Sequence, residues 1–141
     1  MAVKQVILIR RDLNMRRGKE IAQGSHASLA FIAQQVKNFQ VEESSSENSP
    51  TSPLTKELSI HLSPEAWQWF TKGSAKICLK VETEEELVKL HKEALTNNLE
   101  SHIIVDSGKT EFKGEPTITA CAIGPNEAQE IDNITGHLKT Y

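Results

Sequence analysis

Val3-Lys-Gln-Val-Ile-Leu-Ile-Arg10 opens the chain, and a basic stretch, Arg10-Arg-Asp-Leu-Asn-Met-Arg-Arg-Gly18, separates it from a second patterned segment that begins at Lys19. The first run is short, apolar and rich in β-branched residues, the signature of a buried strand. From residue 19 to about residue 36 the period changes. Ile21, Ser25, Leu29, Ile32 and Val36 recur every three or four positions, which predicts a helix with these residues on its apolar stripe. A strand, a basic loop and a helix in succession form the first unit of an alternating fold.

The same alternation continues. Ser63-Pro64-Glu65 reads as a helix start, with Ser63 as N-cap and Pro64 in the first helical position. The short helix that follows carries Trp67 and Phe70, which suit packing better than base stacking. Strands are expected at residues 75–81, 101–105 and 117–123. Thr83-Glu-Glu-Glu86 is a capping box opening a helix to about residue 97, with Leu87, Leu90 and Leu95 on or near its buried side. Gly124-Pro125 marks a turn, and Asn126 can cap a last helix to about residue 134. The order predicts a single-domain α/β fold, a three-layer α/β/α sandwich around a four-stranded mixed sheet. Residues from about 39 to 62 include the run Glu42-Glu-Ser-Ser-Ser-Glu-Asn-Ser-Pro50, which has almost nothing to bury and reads as a flexible insertion.

With 141 residues, 38% of them hydrophobic and 25% charged, the chain supports one core without staples. No apolar run reaches the ~18 residues of a membrane span. Cys78 and Cys121 lie inside apolar strand runs with no C-x-x-C spacing, so buried thiols and a reducing, cytoplasmic setting are expected.

The net charge of −3 argues against a globally basic surface. Its distribution points elsewhere. Residues 1–20 hold six Lys/Arg against two acids, and the remainder holds ten Lys/Arg against seventeen acids. Arg10, Arg11, Arg16, Arg17 and Lys19 therefore form a local phosphate-binding candidate on an acidic body, although ordinary solvated charges make the same pattern.

Two constellations stand out. Lys19, Gln23 and His26 fall at i, i+4 and i+7, on one face of the expected helix, close to its anion-favouring N-terminus. An ordinary exposed polar face has the same spacing, and His26 also reads as a packed histidine. Asp106-Ser-Gly108-Lys109-Thr110 follows an apolar strand directly, where open α/β sheets place ligands. It reads equally as an Asx-type turn, and it lacks the glycine spacing of a P-loop.

Taken together, Arg16-Arg-Gly-Lys19-Glu-Ile-Ala-Gln23-Gly-Ser-His26-Ala, Asp106-Ser-Gly-Lys-Thr110-Glu, Ala122-Ile-Gly-Pro125 and Asp132-Asn-Ile-Thr-Gly136-His-Leu-Lys139 resemble the peptidyl-tRNA hydrolase 2 family, in the family's order. The resemblance implies an esterase that cleaves peptide from the 3′ end of tRNA, needing no metal or other cofactor, commonly as a homodimer. It places the catalytic group on Lys19, Asp106, Thr110 and Thr119, with Thr117 competing for the last position. Arg16, Arg17, Gln23, His26, Gly108 and Lys109 fall on the substrate-binding side. A non-catalytic module binding tRNA or protein on the same scaffold is the alternative.

Overall fold

The computed structural model describes residues 1–44, 55–109 and 111–141. The element order is β1 (Val3–Arg10), α1 (Arg17–Ser44), α2 (Pro64–Thr71), β2 (Lys76–Val81), α3 (Glu84–Thr96), β3 (Ser101–Asp106), β4 (Thr117–Glu127) and α4 (Ala128–Thr135). The four strands form one mixed sheet in the order β2-β1-β4-β3. β1 runs parallel to β2 and antiparallel to β4, and β3 is antiparallel to β4. β2 and β3 are thus the edges.

Alternate side chains of the central strands feed two cores. Val6 and Leu8 of β1 join Cys121 and Ile123 of β4 beneath Leu87, Leu90 and Ala94 of α3 and Ile131 and Ile134 of α4. Ile7 and Ile9 join Ala120 and Ala122 on the opposite face, under Ala27 of α1. The period-two alternation of a doubly covered strand is why residues 3–10 look continuously apolar. Helices on both faces give the three-layer sandwich.

The caps follow local chemistry. Ser63 Oγ accepts the Ala66 amide at 3.0 Å, and Pro64 occupies the start of α2. Thr83 Oγ1 accepts the Glu86 amide at 3.1 Å. Glu86 in return accepts the Glu82 amide, one residue before the N-cap. At α4 the N-cap is Glu127 without a side-chain bond, and Asn126 instead accepts the Glu100 amide at 3.0 Å. The last strand passes through Gly124-Pro125 and ends at Glu127.

Several packing expectations change. α1 continues to Ser44, eight residues beyond the expected end, because residues 34–44 are mostly helix formers with no proline. Residues 39–44 of the expected insertion are therefore helical, and residues 45–54 lie outside the described residues. After residue 54, the segment leading to α2 is tied to α1 by Gln35, which donates to the His61 carbonyl and accepts its amide.

The largest correction concerns which face of α1 is inward. Gln23, Ala27 and Phe31 are buried, whereas Ile21 is 64% and Leu29 59% exposed. The apolar stripe expected from spacing faces largely outward, and the polar stripe reaches the sheet. In α2 the buried ring is Trp69, whose Nε1 donates to the Ala75 carbonyl, while Trp67 is exposed. In α3 Ala94 takes the inward place expected for Leu95. Cys121 is buried but Cys78 is exposed, because it lies on edge strand β2 beyond the cover of α1.

Candidate active site

The polar face of α1 lies against the ends of β3 and β4. Lys19 Nζ donates to Asp106 Oδ1 at 2.9 Å, joining the first turns of α1 to the end of β3. Gln23, one turn later, donates from Nε2 to the same oxygen at 3.3 Å. Its Oε1 accepts the Thr119 hydroxyl of β4. Gln23 is only 2% exposed, so its amide is committed to these two partners, and the partners fix which way it points.

A register break aims Thr119. Ile104 pairs with Ala120 and Val105 with Ile118, so Thr119 faces no residue of β3. One extra residue in a strand reverses the facing of what lies beyond it. Ala120 accordingly packs on the α1 face and Ile118 on the α3 face, while the Thr119 hydroxyl reaches α1. Thr117 stands at the start of β4, and its hydroxyl bonds to the Glu115 carbonyl instead.

Asp106 is also the origin of a turn. Its second oxygen accepts the Gly108 amide at 2.8 Å. One carboxylate oxygen thus shapes the loop as an Asx-type turn and the other faces Lys19 and Gln23. Gly108 has φ +80°, and a Cβ there would lie 2.1 Å from the Glu115 carbonyl oxygen, so only glycine fits. Lys109 is exposed, and Thr110 lies outside the described residues.

The electrostatics favour a charged aspartate. The Lys19 hydrogen bond holds the Asp106 carboxyl below the usual carboxylate range, against the opposing effect of desolvation; the Gly108 amide, the Lys19 charge and Gln23 act in the same direction as the bond. The pair is sheltered, with side chains 15% and 13% exposed. Such a carboxylate is a strong acceptor and a weak base near neutrality.

The basic stretch is anchored by its apolar residues. Leu13 and Met15 pack into the α1-side core with Phe112, and the Lys19 ammonium lies 5.8 Å from the Phe112 ring centroid. Nothing in the sequence singled out Phe112, because its partners come from elements about a hundred residues away. Arg16 and Arg17 are exposed, Arg16 lying 3.8 Å from Glu111. Arg10 differs from the sequence expectation. Its guanidinium makes two bonds to Asp12, at 3.0 and 2.7 Å, and a third to the Ile118 carbonyl at 2.9 Å. This buried fork braces the sheet end and leaves Arg11, Arg16 and Arg17 as the outward cations. His26 is exposed rather than packed, on the wall of a groove beside Asp106. Among the described residues, no three His, Cys, Asp or Glu side chains gather in a metal-binding arrangement.

Comparison with known proteins places this chain in a family. The chain is 36% identical to a peptidyl-tRNA hydrolase of Methanocaldococcus jannaschii over 97% of its own length and 98% of the relative's. It is 38% identical to a peptidyl-tRNA hydrolase of Sulfurisphaera tokodaii over 99% and 98% of the two chains. A probable peptidyl-tRNA hydrolase 2 of Dictyostelium discoideum is 36% identical over 98% of this chain, which spans 54% of that longer protein. Residues 3–141 match the family model described as peptidyl-tRNA hydrolase PTH2, and with near full-length similarity to such relatives the chain belongs to that family.

Proposed function

We propose that this protein hydrolyses the ester between a peptide and the 3′ end of tRNA, with Lys19, Asp106, Thr110 and Thr119 as the reacting group. The observation that carries the reading is the continuous Lys19–Asp106–Gln23–Thr119 chain, assembled from α1, β3 and β4 beside the outward arginines. Family membership supports the substrate.

Water adds to the ester carbonyl carbon, and the bond to the ribose 3′ oxygen then breaks. One proton of the water passes to the ribose 3′ oxygen, which leaves as the tRNA hydroxyl, and the other is released to solvent as the peptide departs as a carboxylate. Negative charge develops on the carbonyl oxygen during addition, where a sheltered ammonium stabilises it best. Lys19 supplies that charge. Asp106 stays ionised, so its role is to accept hydrogen bonds from the attacking water or the ribose hydroxyl and to hold Lys19, not to store a proton. Gln23 positions Asp106 and Thr119. Thr110 and Thr119 supply hydroxyls for the water or the ribose. Gly108 keeps the loop tight, and Lys109 and His26 line the approach. Arg16 and Arg17 bind tRNA phosphates without reading sequence.

The same reading includes a homodimer and a cytoplasmic setting. Exposed Ile21, Leu29, Trp67 and Phe70 support the first, and two cysteines outside any disulfide support the second. Among the described residues no helix is long and apolar enough to cross a membrane.

Release of N-acetyl amino acid from N-acetyl-aminoacyl-tRNA tests the proposal. Lys19→Ala is expected to lower kcat about 10²–10³-fold, the usual scale for losing one oxyanion stabiliser. No turnover by wild type, or equal rates for the two proteins, overturns it. Salt-sensitive tRNA binding without release would favour the binding-module alternative.

A further inference from the structure

Only β4 pairs with β3 among the described residues, so β3 presents a sheet edge. Between this edge and α1 runs a groove of about 530 Å³. It begins at Asp106 and Gln23, the residues at the centre of the candidate site, and leads away past Ile104 to His102. The helix wall is formed by His26, Ala30, Ala33 and Lys37, spaced to share one face. Two alanines at the middle of that wall keep the groove open.

We propose that the peptide arm of the substrate lies extended in this groove and adds to β3 as a further strand. The proposal rests on the hydrolase reading and specifies where that substrate's peptide goes. A peptide ester has two arms leaving one carbonyl. With that carbonyl at Lys19 and Asp106, the arginines near the start of α1 take the RNA arm, and none of them lines the groove. The groove takes the other arm. Its direction follows: the peptide's last residue sits at Asp106 and earlier residues lie beside Ile104 and His102, so the peptide runs parallel to β3. From His102 to Asp106 a strand rises about 13 Å, room for about four residues. The helix wall from His26 to Lys37 covers about 16 Å, a matching span.

The chemistry of the occupant supports a sheet edge. A hydrolase acting on interrupted peptides meets every sequence, and main-chain bonds read a peptide without regard to its side chains. A row of alternating N–H and C=O groups matches a peptide backbone, whereas a ribonucleotide backbone offers phosphate acceptors and isolated 2′-hydroxyls in place of a repeating amide row.

The test compares four tRNAs with the same last residue: one carrying a single N-acetyl amino acid, one an N-acetyl tetrapeptide, and two carrying the tetrapeptide N-methylated at alternate amides, one for each phase. Wild-type kcat/KM is expected to be about tenfold higher for the tetrapeptide than for the single residue, and one N-methyl phase should remove the gain. Ala30→Phe, which fills the groove, should lower the tetrapeptide-to-single-residue ratio toward one. Equal rates for all four substrates overturn the groove assignment while leaving the hydrolase reading intact. So does an Ala30→Phe loss that is identical for both lengths, or that appears as weaker binding of deacylated tRNA. If wild type fails to hydrolyse even the single-residue substrate, the hydrolase reading falls, and the groove assignment falls with it.

Discussion

Replacing Gln23 by glutamate changes one atom type and inverts the logic of the site. In the native protein the amide donates to Asp106 and accepts from Thr119. A glutamate carboxylate keeps the acceptor but puts a second negative charge where the donor stood, 3.3 Å from the Asp106 oxygen. At an effective dielectric of ~20 the raw repulsion is about 5 kcal/mol. Lys19, 2.9 Å from the same oxygen, offsets part of it. A net loss of roughly 2 kcal/mol at pH 8 is expected, a fall in Tm of about 6 °C for a domain of this size. The repulsion raises the proton affinity of the new pair in the folded state. Between the unfolded and folded pKa values the native state then binds more protons, so stability falls as pH rises. On acidification one carboxyl protonates, donates to the other and restores the native pattern. Gln23→Glu should therefore approach wild-type stability near pH 5 and diverge from it toward pH 8. Wild-type Asp106, held below the usual carboxylate range, has the opposite sign: its contribution is present above the unfolded aspartate pKa and disappears only as pH falls through the lower folded value. Urea denaturation at several pH values, with kcat/KM measured alongside, tests both statements. A Gln23→Glu deficit that stays constant from pH 5 to pH 8 would refute the contact between residue 23 and Asp106.

Three further outcomes follow from local geometry. Arg16→Ala combined with Arg17→Ala should raise KM about tenfold and reduce the salt dependence of tRNA affinity by one to two units of slope, with kcat little affected; an unchanged salt slope would place the RNA elsewhere. Gly108→Ala should destabilise by roughly 2 kcal/mol or more, because φ +80° and the Glu115 carbonyl both exclude a Cβ, and thermal unfolding measures the loss directly. Alkylation of the native protein at pH 8 should modify Cys78 alone: burial pushes the Cys121 thiol up to about 11, and mass spectrometry should find a second adduct only after denaturation.

Where legibility ended is clearest on α1. The spacing of Lys19, Gln23 and His26 correctly put the first two on one helix face, because 3.6-residue periodicity is local. Which face packs on the sheet is not local. Ile21 and Leu29 are more apolar than Gln23 and Ala27, yet they remain exposed, because the carboxylate of Asp106 and the hydroxyl of Thr119 occupy the end of the sheet and draw the polar face inward. The contrast between Trp67 and Trp69 has the same source: two residues apart on a helix, they differ only in what tertiary structure sets beside them. Arg10, counted among the phosphate-binding cations, is instead held by Asp12 and the Ile118 carbonyl, a partner from a distant strand.

The sequence by itself determined the order of strands and helices, the capped starts of α2 and α3, and the loop that begins at Asp106. Each rests on interactions among residues a few positions apart, so its information lies within one window. Tertiary structure alone decided the strand order β2-β1-β4-β3, the inward face of α1 and the bulge that turns Thr119 toward Gln23. It also decided the protonation state that suits Asp106, since a carboxylate's pKa depends on charges and donors within a few ångströms, and besides the neighbouring Gly108 amide these are Lys19 and Gln23, more than eighty positions away.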